Sequence, residues 1–241
     1  MFCYLCGDPI TEEQQANHQV NRDHVPPLRI YAKQIRRQYP TQLDTLPTHV
    51  ACNTAYRQDE EYFVMVMAGH HSMSWTAKAV WEDIAHSIAT KGSWGGLIRS
   101  ILSKFGKVTT ADGSRLFELD MNRATRVVWK IVRGLYTLET GRLLPDESYR
   151  NIEIVIRSEA DKTLPNHLWF NDVARTEGMA KHKAVFDYRW VCRYIEDGQV
   201  DITDCKGNLM FMIMWDNLIL LCLFHDPACR CHRCKVLPGR N

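Results

Sequence analysis

Four residues near the start of the chain have the types and spacing of a tetrahedral metal site: Cys3-x-x-Cys6 and His49-x-x-Cys52. A two-residue gap lets a tight turn aim two side chains at one point, and zinc accepts thiolate and imidazole in closed structural sites. The two halves are separated by 42 intervening residues. The competing reading is buried thiols beside an unrelated histidine. Between the halves, in NRDHVPPLRI, Asp23 and His24 are adjacent, and Pro26-Pro27 follow. Prolines lack a donor and fix φ, so they stiffen the exit from an extended segment. Asn53 stands directly after Cys52. A zinc staple would draw Asp23, His24 and Asn53 towards one pocket. Oxygens from Asp23 and Asn53 suit a hard Mg²⁺ or Mn²⁺ ion. An imidazole left uncoordinated at His24 suits a general base acting on water. Otherwise Asp23-His24 is an incidental polar pair.

The run CxxC, DHVPP, LxxLPxHxxCN and DEEYF, taken in order, resembles the zinc-stapled branch of the HNH (ββα-metal) endonuclease family. The resemblance covers about residues 1–65. It implies a ββα fold in which His24 is the general base, Asp23 and Asn53 bind the catalytic divalent metal, and one structural zinc sits in the knuckle. The family's middle Asn falls at Asp44, eight residues before the last zinc ligand, so the chain departs from the motif there; an acid in that place can still orient the base loop or the histidine. A second departure is His49 where most of the branch has Cys, a change zinc tolerates. Arg57, one turn beyond Asn53 on the expected helix, could hold a phosphate oxygen; the plainer reading is a surface charge. The implied reaction is hydrolysis of phosphodiester bonds in DNA, expected to be double-stranded. Such small HNH proteins also look like effectors of bacterial anti-phage defence, sometimes driven by an ATPase or sensor partner. The alternative is a zinc-binding nucleic-acid or protein-recognition module without catalysis.

The positioning elements are those of an ordinary globular chain. Its 241 residues carry a formal net charge of +2, with 45% hydrophobic and 24% charged residues. These proportions exclude a disordered chain and give no global pull towards nucleic acid, although a local basic patch could supply one. The nine cysteines are clustered rather than spread as in a disulfide scaffold, and the start has no secretory pattern, so a reducing cytoplasmic location is expected. The longest apolar run, Asn217–Phe224, is too short to span a bilayer. Nucleotide-binding and hydrolase loops are absent.

The expected fold class is α+β: a small N-terminal zinc-stapled ββα-metal domain (1–70), then an accessory region (71–241) of unknown role. That region reads as helical over 71–140, β-rich over 150–225, and Cys/His-rich over 225–235. Within the first unit a helix is expected over Asn53–Gly69, with the acidic run Asp59-Glu60-Glu61 on a solvated face. A hairpin turning at Asp112-Gly113 follows. Asp120 then caps a helix from Met121 to Leu138. On that helix Arg123, Arg126, Lys130 and Arg133 share one face, either solvated or in contact with phosphate. Cys192, Cys205 and Cys222 read as core. In the tail, Cys229, Cys231 and Cys234 with His225 or His232 are either a second zinc site or free thiols. The accessory region could bind DNA, dimerise or dock a partner.

Overall fold

The structure, a computed structural model, describes residues 1–38, 43–70, 74–91, 96, 99, 103, 105–109, 115–117, 120–144, 150–156, 176–181, 183, 185–193, 208–215 and 218–225. The turn at 112–113, Cys205, and the tail residues Cys229, Cys231, His232 and Cys234 lie outside them. So does the strand expected over 199–203. His225 ends a strand, and its side chain is not among those described.

The N-terminal unit opens with a tight turn at Cys3–Gly7 and a short helix α1 (Glu12–Ala16). Thr11 and Gln14 cap α1 reciprocally: each side chain bonds the other's backbone N–H. Strand β1 (Val20–His24) pairs antiparallel with β2 (Thr45–His49), with Asp23 opposite Leu46 and His24 opposite Thr45. The segment between them leaves β1 through a cis Val25–Pro26 peptide. It then forms a 3₁₀ turn at Leu28–Ile30 and helix α2 (Lys33–Gln38).

After β2 come two helices, α3 (Val50–Thr54) and α4 (Arg57–His70). The single helix expected over 53–69 is therefore broken at Ala55–Tyr56. Helix α5 (Trp75–Lys91) and hairpin β3 (Phe105–Thr109)–β4 (Arg115–Phe117) follow as the sequence predicts. Helix α6 (Met121–Thr140) starts at the expected cap, where the Asp120 carboxylate accepts from the Arg123 N–H at 3.3 Å. It runs two residues past Leu138 and ends at Gly141, whose φ of 69° suits a residue without a Cβ.

The C-terminal strands are β5 (Arg150–Ile156), β6 (Phe186–Arg193), β7 (Asn208–Trp215) and β8 (Leu218–His225). They form one antiparallel sheet in the order β5-β8-β7-β6. The chain is thus a mixed α+β protein.

One hydrophobic core runs from the N-terminal turn at Cys3–Leu5 to this sheet. Helix α6 lies within it: Val127, Val128, Ile131, Val132 and Leu135 are all buried, each worth about 1.5–3 kcal/mol over an exposed position. Phe63 of α4 stacks on Trp215 of β7 at 6.2 Å between ring centroids. Cys222 is buried in β8 as expected. No helix among the described residues is long and apolar enough to cross a membrane.

Candidate functional site

The knuckle forms where the spacing places it. The Gly7 N–H bonds the Cys3 carbonyl at 2.8 Å, and Gly7 takes a φ of 86°, which closes the turn and sets Cys3 and Cys6 on one side. His49 ends β2 and is the N-cap of α3, so Cys52 follows within the first turn. The four ligand atoms of Cys3, Cys6, His49 and Cys52 lie within 4.8 Å of one another. His49 Nδ1 faces Cys6 Sγ at 3.5 Å and Cys52 Sγ at 3.9 Å. Burial raises the Cys3 thiol, but hydrogen bonds from Thr48 and from the His49, Cys6 and Leu5 backbone outweigh it and bring the pKa down to about 7. Burial pushes Cys6 up to about 12 and raises Cys52 as well. One thiolate forms readily near neutrality, and the remaining sulfurs need a cation to give up their protons. This donor set fits a structural zinc ion.

Asp23 and Asn53 do converge, and what they converge on is a lysine. Lys130 of α6 reaches across so that its Nζ lies 2.7 Å from Asp23 Oδ2 and 3.1 Å from Asn53 Oδ1. It also pairs closely with Glu60 Oε1 of α4. The Tyr4 hydroxyl donates to the same Asp23 oxygen. Burial, and then the adjoining Asp23 carboxylate, hold the Tyr4 phenol protonated well beyond its usual range. Burial also raises the Glu60 carboxyl, against the pull of Lys130. Two carboxylates and an amide oxygen are the donors a hard divalent ion selects. In this arrangement their common point is filled by Lys130, whose side chain is 1% exposed. Glu60, Lys130 and Tyr4 were not singled out from the sequence for this site. In the sequence Lys130 reads only as part of the basic row with Arg123, Arg126 and Arg133.

His24, at the end of β1, is half-buried. Burial lowers its pKa, the Asp23 carboxylate opposes this, and Arg36 adds to the lowering. The ring is therefore neutral at pH 7 and makes no hydrogen bond to a described side chain or backbone group. The Val25 N–H just beyond it donates to the Asp44 carbonyl at 3.0 Å. Asp44 thus braces the turn through its backbone. Its carboxylate points elsewhere, to Lys181 at 2.5 Å, and no hydrogen bond joins it to His24. Arg57 opens α4 rather than sharing a helix with Asn53. Its side chain is 71% exposed and meets only Glu61 among described carboxylates, at 3.4 Å.

The acidic run expected on a solvated face is largely covered, whereas the basic row is partly exposed, Arg126 keeping 46% of its side-chain surface. Helix α4 packs along α6, and the acidic run meets the basic row. Asp59 binds Arg123 at 2.8 Å and Arg126 at 2.5 Å, and Glu61 binds Arg29 at 2.9 Å. Arg123 and Arg126 also lie over the Tyr62 and Tyr56 rings, at 4.4 and 4.5 Å. Arg133 is buried. The cause is complementarity: two helices with opposite charge rows beside apolar stripes satisfy both by packing together. Beside the knuckle, a cleft of about 800 Å³ is lined in part by Tyr56, Arg126, Trp129 and Arg133.

No family model, no curated protein and no solved structure matches this chain.

Proposed function

We propose that the chain is a metal-dependent endonuclease of the HNH (ββα-metal) type, hydrolysing phosphodiester bonds in DNA. One observation carries the reading. Asp23 from the end of β1 and Asn53 from α3, beside the two halves of one cysteine-histidine knuckle, direct oxygens to a single cation position, and His24, which follows Asp23 in β1, is half-buried and bonds no described group. Asp23 and Asn53, with Glu60, would hold Mg²⁺ or Mn²⁺. Once bound, such an ion supplies positive charge for the scissile phosphate and the leaving oxygen. His24 accepts the proton from the attacking water, because its imidazole is neutral at working pH and bonds no other described group. Exposed Arg57 would meet a phosphate oxygen, and the cleft at Arg126 would offer aromatic and cationic groups to the backbone. Double-stranded DNA is the favoured substrate because these groups address phosphate rather than base edges. A cytoplasmic role in anti-phage defence, with an ATPase or sensor partner, belongs to the same reading by analogy of motif.

The second reading, a zinc-stapled recognition module without catalysis, is favoured by the lysine in the cation position. Incubation with supercoiled plasmid across Mg²⁺ and Mn²⁺ separates the two. Cleavage that falls by about 10²–10⁴-fold in His24→Ala, with zinc and fold retained, supports the nuclease. Undiminished cleavage in that variant removes the assignment, and no cleavage by the wild type under any metal leaves the recognition module.

A further inference from the structure

We infer that Lys130 is an internal competitor for the divalent ion: its ammonium and the metal claim the same position, and the site loads only when Nζ withdraws. This rests on the reading of Asp23 and Asn53 as the cation ligands.

The geometry argues it from three sides. An ammonium has three N–H donors, and here they meet three acceptors, on Asp23, Asn53 and Glu60. Lys130 is thus held as a ligand set holds an ion. Its side chain is 1% exposed, against 9% for Asp23 and 13% for Glu60, so the ammonium itself is shielded from solvent. Mg²⁺ needs oxygens at about 2.0–2.1 Å. An ion bridging Asp23 Oδ2 and Asn53 Oδ1 would overlap an Nζ lying 2.7 and 3.1 Å from those same atoms. The two cations therefore exclude each other. Charge favours the exchange once Nζ is out. Two carboxylates facing one ammonium leave a net negative charge, which a divalent ion neutralises. What opposes it is the seating of α6, because Gly134, one turn beyond Lys130, sits hard against Val25 beside Asp23. Apparent metal affinity is then reduced by the fraction of molecules with Nζ withdrawn.

The test is Mn²⁺ binding to zinc-loaded full-length protein, read as free Mn²⁺ by electron paramagnetic resonance and as a shift in Tm. Lys130→Met keeps the side chain's bulk and removes its charge. With the withdrawn state no more than about a tenth populated, this variant binds one Mn²⁺ at least roughly tenfold more tightly than the wild type. Mn²⁺ also raises the variant's Tm, and adding Asp23→Asn abolishes both effects. Lys130→Gln serves in the same comparison if Lys130→Met fails to keep zinc. Equal, Asp23-dependent affinity in wild type and variant overturns the competition and leaves the cation site standing. Tight binding that survives Asp23→Asn places the ion elsewhere and overturns the proposal. Absence of Mn²⁺ binding in every protein overturns both the proposal and the nuclease reading beneath it.

Discussion

Gly134 of α6 lies so close to Val25 that a methyl group placed on it would sit 2.6 Å from Val25 Cγ2 and 2.7 Å from Cγ1. Val25 directly follows His24 and is buried. This contact sets how near α6 comes to the end of β1, and so whether Lys130 reaches Asp23.

Gly134→Ala tests that approach. In an open helix the change would stabilise by about 0.5–1 kcal/mol. Here overpacking costs about 1–3 kcal/mol, so the variant is net destabilised. Val25→Ala in the same chain removes both clashing methyls. In that background Gly134→Ala becomes neutral or stabilising, as a double-mutant cycle of urea unfolding will read. Equal cost in both backgrounds would show that the contact is not what limits the packing.

Zinc content follows from the knuckle. Elemental analysis should find one zinc per chain assignable to this cluster, lost in Cys6→Ser and in His49→Ala. A structural zinc couples its binding to the folding of the unit that holds it, so both variants and chelated wild type should lose stability. The expected fall in Tm is at least about 5 °C, at roughly 2–4 °C per kcal/mol for a chain of this size. Unchanged zinc in both variants would remove the site.

Asp59→Asn separates the helix–helix charges from solvent charges. Asp59 is held by two arginines and is mostly shielded, at 13% side-chain exposure. Its neutralisation should cost about 1–2 kcal/mol, with little relief from added salt. Arg126→Ala, removing a partner that is half in solvent, should cost under about 1 kcal/mol. Thermal unfolding at low and high salt measures both.

Alkaline stability has a definite sign. Burial, followed by the Asp44 charge, raises the Tyr31 phenol above its ordinary value near 10. Burial, followed by the hydrogen bond to Glu139, raises Tyr188 likewise. A group whose pKa is raised on folding binds its proton more tightly in the native state. The stability it contributes is whole below about pH 10 and lost as pH rises towards the native value. Wild-type stability should therefore decline above pH 10. Tyr31→Phe and Tyr188→Phe should each show a shallower decline by denaturant titration at pH 9, 10 and 11. Parallel slopes in all three proteins would rule out these phenols as the source.

Local features were legible before any coordinates. The two-residue gaps in Cys3-x-x-Cys6 and His49-x-x-Cys52 are short-range geometry, and the four side chains do meet. Asp120 caps α6 as read, because a cap answers to the backbone beside it, whereas the helix runs past Leu138 to its C-cap at Gly141. The alternation in the last third is read out as β5 to β8. What could not be read was which face covers which. Periodicity put Arg123, Arg126 and Lys130 on one stripe, and clustering put Asp59, Glu60 and Glu61 together. Nothing local says that residues 70 apart, such as Glu60 and Lys130, will neutralise each other. Nor does the sequence say that Asp44 meets the loop after His24 through its backbone carbonyl while its carboxylate pairs with Lys181.

Order of synthesis gives the lysine a further meaning. Asp23 and Asn53 are made early, and Lys130 lies 77 residues beyond Asn53. At about 5–20 residues per second, the ribosome needs roughly 4–15 s to cover that distance. For those seconds the Asp23 carboxylate and the Asn53 amide have no Lys130 to face. Helix α6 brings Lys130 to Asp23 and Asn53 only after that interval.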